Sequence, residues 1–421
     1  MPGSPPAGLV DLVGTPKPTG AGGGAVGDPP TSGSRPSGGG WKRRVIALVF
    51  VLGLVCLLPA ISLIQALSAP GNLSASELSV EWMRDHNMGS LVNTVERWWF
   101  TNHQVKEGGE PDRAIAIDAP PESAGSSGSG SKNESSHVST TPKPADVAVP
   151  DGLSPLPDEG VWQPVGPTVD GASTMYATQV RPDAVHSSVL DGLVWLDPKL
   201  LRFVLHPGLQ VPGGTFATPP KVPMDERLAL VAAFNSGFRL EDGHGGVYLE
   251  GKTVSPLRVG AASFVIDTNG VATVGEWGRD VSMGPNVVSV RQNLDLIVDG
   301  GKPVAGLDDN VDGKWGATYG NKVLVWRSAV CVDANGGIIY GYGNGLGALS
   351  LAELMTRAGC QRAMELDINT VWMTFNFYGA AVPGDPNSVV GTKLLPDQRK
   401  PGTRYLADDA RDFYAVFNRN P

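Results

Sequence analysis

The strongest constraint on this chain lies between residues 151 and 421, where short apolar runs are repeatedly interrupted by Asn-Gly or Gly-Gly. "SFVIDTNGVATV" reverses at Asn269-Gly270, "LDLIVDGGKPV" at Gly300-Gly301, and "SAVCVDANGGIIYGYG" at Asn335-Gly336. These dipeptides supply the positive φ angles that tight reversals need, so each run predicts an antiparallel hairpin. One helix is well signalled. In "SLAELMTRAGC", Ser350 and Glu353 form a capping-box pattern, and Gly359 stands where a helix would terminate. Many hairpins, few helices, no regular βαβ alternation and no internal repeat predict an α+β fold with a largely antiparallel sheet.

The first third reads differently. Residues 1–44 are dominated by Gly, Pro, Ser and Thr and predict a disordered cytoplasmic tail. Lys42, Arg43 and Arg44 then precede Val45 to Ile64, an uncharged, mostly apolar stretch of bilayer-crossing length, and the span is placed at 45–66. A cleaved signal peptide ending near "ALSA" is the competing reading. The long upstream tail and the length of the apolar run favour an uncleaved anchor. The basic cluster places the N-terminus in the cytoplasm and the C-terminal part outside, a single-pass arrangement with the lipid bilayer as partner. Residues 67–111 predict a juxtamembrane helical pair, with a capping box from Ser74 to Glu77 and with Leu91, Val95, Trp98 and Trp99 at helical spacing. That aromatic cluster suits either a membrane interface or docking on the outer domain. Residues 112–150 read as a Gly/Ser/Pro linker, and 151–421 as the globular domain.

A formal net charge of −9 argues against nucleic acid as a partner. Cys331 and Cys360 fall outside the anchor, where oxidation is permitted, whereas Cys56 lies within it. A disulfide and two buried thiols both fit that spacing.

Candidate chemistry centres on "CQRAMELDINTVWMTFNFY", where Glu365, Asp367 and Asn369 alternate with Met364, Leu366 and Ile368. Alternate residues of a strand share a face, so one face is expected to be acidic, either as a cleft floor or as a solvated sheet surface. Asn235 ends an apolar strand in "AAFNSGF"; it either enters a pocket or closes its own turn. His244 reads as an exposed loop residue. Arg258 and Arg327 begin apolar strands, as phosphate or carboxylate clamps or as ordinary strand-edge arginines. Asp308, Asn310, Asp312 and Gly313 open like a calcium loop, but Tyr319 stands where the bidentate Glu belongs. No zinc spacing or phosphate-cradling loop is present, and no metal or cofactor is expected.

"AFNSGF", "LRVGAASF", "LDLIVDG", "RSAVCVDANG" and "LSLAELMTRAGCQRAMELD" occur in the order and spacing of the phosphodiester glycosidase family. Over roughly residues 225 to 380 the chain resembles that family, which is similar to the enzyme that uncovers mannose 6-phosphate by removing N-acetylglucosamine. Its tail, anchor and spacer look like the membrane-anchored actinobacterial version. The resemblance implies a pocket lined by Asn235, Arg258, Asp299, Arg327 and Asp367, with Glu365 close by. It implies a hydrolase that cleaves a sugar from a sugar-1-phosphodiester, with phosphorylated envelope glycans as substrates. Asp367 would stabilise or attack an oxocarbenium-like centre, Glu365 would activate water, and Arg258 and Arg327 would neutralise the departing phosphate. The family usually follows its Leu-Asp with a glycine turn, whereas Leu366-Asp367 runs into Ile368-Asn369-Thr370-Val371-Trp372, expected to be strand-like. That departure sustains an alternative: a non-catalytic glycan-phosphate-binding envelope protein on the same fold. The family also tends to have glycine at the position of Cys331.

Overall fold

The computed structural model describes residues 39–69, 71–118, 139–310, 313–316 and 324–419, apart from the side chains of 39, 40, 42, 51–56 and 97. The expected tail at 1–38 and the Gly/Ser centre of the linker at 119–138 lie outside the described residues. The chain divides into two compact units, Met1–Ile61 and Ser62–Pro421. The described part of the first belongs to helix α1 (Gly39–Leu67), which takes up the whole stretch read as a span. Among the described residues no helix is long and apolar enough to cross a membrane. The side chains of 51–56, at the middle of that stretch, are outside this description.

The second unit is α+β, built from three sheets in which every strand pair is antiparallel. The first has eight strands in the order β1 (Gln163–Val169), β2 (Ala172–Val180), β3 (Asp191–Leu196), β14 (Ile338–Leu346), β13 (Val325–Asp333), β15 (Cys360–Asp367), β11 (Leu296–Asp299), β12 (Lys302–Pro303). A second runs β7 (Lys252–Ser255), β6 (Val247–Leu249), β10 (Val287–Gln292), β8 (Ala262–Asp267), β9 (Ala272–Glu276). The third runs β17 (Val389–Lys393), β16 (Phe375–Ala380), β5 (Leu230–Asn235), β18 (Phe413–Asn418), β4 (Leu201–His206). All three hairpins expected from the glycine dipeptides form, as β8–β9, β11–β12 and β13–β14.

Strand alternation sorts the core into two layers. Val330 and Val332 of β13 join Met364, Phe234, Phe264 and Phe375 in a cluster shared by the three sheets. Ala329 and Cys331 face the other way, against helix α5 (Ala348–Arg357). This helix begins earlier than its sequence signal: Gly347 is the N-cap, and Ser350 is the third helical residue, where its Oγ accepts the Gly347 N–H at 2.9 Å. Gly359 ends the helix as expected, at φ +99°, a left-handed value that favours glycine. On the same layer Cys331 and Cys360 are disulfide-bonded, with Cα atoms 5.7 Å apart across a separation of 29 residues. Closing a loop of that length removes unfolded-state entropy, so reduction should lower stability in urea titrations by about 3 kcal/mol.

The juxtamembrane segment belongs to this unit. Helix α2 (Ala75–Met83) carries the capping box of Ser74 and Glu77, and Arg84 pairs with Glu96 of α3 (Gly89–Asn102) at 2.8 Å. Leu91, Val95, Trp98 and Trp99 do not dock on the domain: they are 54, 57, 62 and 48% exposed. The ends of the expected linker are packed. Thr141 N–H reaches Asp197 Oδ2 at 2.9 Å, Trp162 Nε1 donates to Ala145 O at 3.0 Å, and Val147 is buried. A four-residue helical turn, α4 (Leu240–Gly243), follows β5 and leads to His244, which is exposed.

Candidate functional site at the end of β15

The acidic strand does not present one acidic face. In the ladder, Ala329 of β13 pairs with Glu365 while Ser328 pairs with Asp367, so one step on β13 faces two on β15. This is a β-bulge, and it re-aims the side chains that follow it. Glu365 shares the face of Ala329, toward α5, whereas Asp367 shares the face of Ser328, toward the third sheet. The expectation that the two carboxylates share one face of the strand is thereby corrected. Asn369 leaves the strand altogether. Asp367 Oδ1 accepts the N–H groups of Ile368 and Asn369 at 2.7 and 2.9 Å, and Asn369 Oδ1 accepts that of Val371 at 3.0 Å. These successive Asx turns end β15, so 368–372 is a turn and not the expected strand extension.

Asp367 lies in a buried polar network built from several elements. Ser328 Oγ accepts the Asp367 N–H at 3.2 Å and the Asn235 Nδ2 hydrogen at 3.1 Å. Asn235 Oδ1 in turn accepts from Tyr340 OH at 2.7 Å and from Thr374 N–H at 3.2 Å. Asn235 therefore ties β5 to β13 and β14, and does not merely close its own turn. Burial pushes the Asp367 carboxyl up to about 6, against the opposing pull of Arg411, the two turn amides and Arg404. The indole of Trp372 stands among these cations, 4.5 Å from the Arg411 guanidinium carbon and 5.4 Å from that of Arg404. Arg404 is held by both oxygens of Asp409, at 2.6 and 3.0 Å.

On the opposite face Arg327 Nη1 donates to Glu365 Oε1 at 2.5 Å, with both side chains buried. Burial, with a smaller push from the Asp367 charge, raises the Glu365 carboxyl to about 7 although Arg327 draws it down, and its Oε2 has no hydrogen-bond partner among the described residues. Arg327 also donates to the carbonyls of Trp315 and Leu346, at 2.9 and 3.2 Å, which leaves it little freedom to clamp a ligand. A cavity of about 270 Å³ adjoins it, lined by Asp183, Asp308, Arg327, Ser350 and Glu353 among others. Three carboxylates against one guanidinium make this a poor place for a phosphate.

Two expected pocket residues point elsewhere. Arg258 donates to Asp295 Oδ1 at 2.7 Å and to Leu294 O at 2.9 Å, on a half-exposed edge. Asp299 is bound through both oxygens by Arg279, at 2.8 and 3.0 Å. It pairs with Arg362, five residues along β15 from Asp367, roughly 16 Å away. Sequence reasoning missed Arg404 and Arg411; Arg411 is signalled only by the charge cluster "DDARD" immediately before an apolar strand, and Arg404, in "GTRYL", by nothing local. The candidate calcium loop falls partly outside the described residues, since 311, 312 and 317–323 are not covered; Asn310 there bonds Gly316 O and Trp315 N–H. Among the described residues no three His, Cys, Asp or Glu side chains converge as a metal site.

No family model matches the chain, and no curated protein matches it. Several solved structures resemble it weakly in fold. A hypothetical protein from Synechocystis matches at a TM-score of 0.35 and 14% identity, over 59% of this chain and 63% of its own. This chain thus spans less than two thirds of that protein. The zebrafish N-acetylglucosamine-1-phosphodiester alpha-N-acetylglucosaminidase catalytic domain, auto-inhibited by its pro-peptide, matches at 0.36 and 14%, over 65% and 87%. A putative exported protein from Burkholderia pseudomallei matches at 0.30 and 13%, over 58% and 75%.

Proposed function

We propose that the second unit is a hydrolase that cleaves a sugar from a sugar-1-phosphodiester, with Asp367 at its centre. The observation that carries this reading is a buried carboxyl raised to about 6 and acted on by the charges of Arg411 and Arg404 beside the Trp372 ring. A carboxylate at the anomeric carbon stabilises or captures the oxocarbenium-like transition state. The departing phosphate needs charge neutralisation more than a proton, and Arg411 offers it there in place of Arg258 and Arg327. Asn235 and Ser328 are positioning residues that fix the backbone of Asp367. Glu365, on the other face and paired with Arg327, takes no part in this scheme.

Envelope glycans bearing such phosphodiesters are the substrates this reading expects. The basic cluster in the first turns of α1, ahead of its apolar stretch, and the exposed apolar stripe of α3 support a cell-membrane anchor, with the N-terminus cytoplasmic and the second unit extracytoplasmic. The loss of Glu365 from the Asp367 face favours a second reading, in which the same cations bind glycan phosphates without hydrolysing them. The full-length chain in detergent micelles, incubated with a panel of sugar-1-phosphodiesters, is expected to release free sugar from at least one. A folded protein that binds a sugar 1-phosphate yet releases no sugar from any of them would replace the hydrolase with the binding module.

A further inference from the structure

Helix α2 and the residues after it lay a row of carboxylates over Lys400, Arg239 and Arg411, the last of which acts on Asp367. Glu77 and Glu81 are four residues apart and share a helix face, and Asp85 follows just beyond the helix end. Glu77 Oε2 meets Lys400 Nζ at 2.7 Å. Glu81 is approached by two guanidinium groups, Arg239 at 3.1 Å and Arg411 at 3.6 Å, and Asp85 meets Arg239 at 2.7 Å. Glu241, beside Arg239 at 2.7 Å, completes the acidic groups on that arginine.

Arg411 is poorly served by this arrangement. Its side chain is 8% exposed, yet its contact with Glu81 is longer than a hydrogen bond, and its buried Nη1 has no hydrogen-bond partner among the described residues. A buried guanidinium N–H left unbonded is costly, and in native proteins such a group is met by an ordered water, an ion or a ligand. Arg404 is unlike it, being bonded by both oxygens of Asp409. Stacking on Trp372 sets the orientation of the Arg411 fork. A planar carboxylate that reaches Arg239 leaves Arg411 short of contact, whereas the tetrahedral oxygens of a phosphate suit both forks.

We propose that Arg239 and Arg411, the latter seated on Trp372, form a phosphate subsite beside Asp367, and that Glu81 of α2 occupies it in competition with an organic phosphate. This rests on the hydrolase reading for its biological meaning, but not for its chemistry. Phosphate binding displaces the Glu81 carboxylate, satisfies Arg411 and loosens α2 from the domain. Lys400, held by Glu77 at the margin, would be freed by the same movement.

The test is a calorimetric titration of the full-length chain in detergent micelles with inorganic phosphate and with glucose 1-phosphate. Removing the competing charge with Glu81→Gln should tighten both by about tenfold, the scale expected when a half-buried ion pair no longer holds the site closed. Combining Glu81→Gln with Arg239→Gln, or with Arg411→Met, should abolish that gain; the Arg239 variant serves if the buried Arg411 change prevents folding. In wild type, phosphate should also speed amide exchange across residues 75–83. Affinity unchanged by Glu81→Gln, or a gain that survives Arg239→Gln, overturns the proposal. A gain without turnover of any sugar phosphodiester keeps the subsite and removes the hydrolase. Turnover without a gain keeps the hydrolase and removes the subsite.

Discussion

Asp367→Asn should inactivate the protein and stabilise it at the same time. The carboxyl is raised by burial from 3.8 to about 6, so the folded state holds its proton more tightly than the unfolded state does. Folding therefore weakens as pH rises from about 4 to about 6, and the penalty persists at neutral pH. A shift of this size corresponds to about 2–3 kcal/mol, and an asparagine carries none of it. Asparagine also closes Asx turns, so the bonds from the Ile368 and Asn369 amides can be kept. In urea titrations the variant should exceed wild type by about 2–3 kcal/mol at pH 7, and the two should converge below pH 4. Turnover of a sugar-1-phosphodiester should fall by about 10³-fold or more, as when a reacting group is deleted. Wild-type kcat should rise with pH through about 6 and then level off, because the ionised carboxylate is the acting form. A variant that is less stable at pH 7, or one that keeps its turnover, would show Asp367 to be a structural turn residue.

Much of the fold is legible in local sequence, whereas the site is not. Asn269-Gly270, Gly300-Gly301 and Asn335-Gly336 specify their hairpins because the reversal is decided by backbone freedom within two residues. Gly359 ends α5 for the same local reason. The face of Asp367 is decided elsewhere. Period-two alternation through Glu365, Asp367 and Asn369 looks unbroken in sequence, but a bulge against Ala329 and Ser328 turns Asp367 to the other side. Nothing in residues 360–378 encodes that bulge, since it is a property of the pairing with a distant strand. Arg411 is hidden in the same way, in a charge-rich run that reads as an ordinary loop, and acquires meaning only where Trp372 and α2 close around it. The exposed stripe of α3 shows the converse: its spacing predicts a helix correctly, and only the packed structure reveals that the stripe is not covered by the domain.

Removing either member of the Arg327–Glu365 pair should cost about 3–5 kcal/mol, with a double replacement costing far less than the sum. Both side chains are buried, on the α5 side of the first sheet. In Glu365→Gln the Arg327 charge would be left in the interior with only the carbonyls of Trp315 and Leu346 to receive it. In Arg327→Met the carboxyl of Glu365, already raised to about 7 and with Oε2 unbonded, would lose its counter-charge and hold a proton at neutral pH. Arg327→Met combined with Glu365→Gln leaves no net charge there, so a double-mutant cycle in urea should show a favourable coupling of about 2 kcal/mol or more. The same cycle separates structure from catalysis. Where the variants remain folded, their kcat should stay within about threefold of wild type, because the pair lies on the opposite face of β15 from Asp367. A fall of 100-fold or more in the folded double variant would place the pair in the reaction, and with it the acid-lined cavity beside Arg327. Unchanged kcat with strong coupling in stability would fix Arg327 and Glu365 as the internal strut that holds β13 and β15 in the bulged register on which the placement of Asp367 depends.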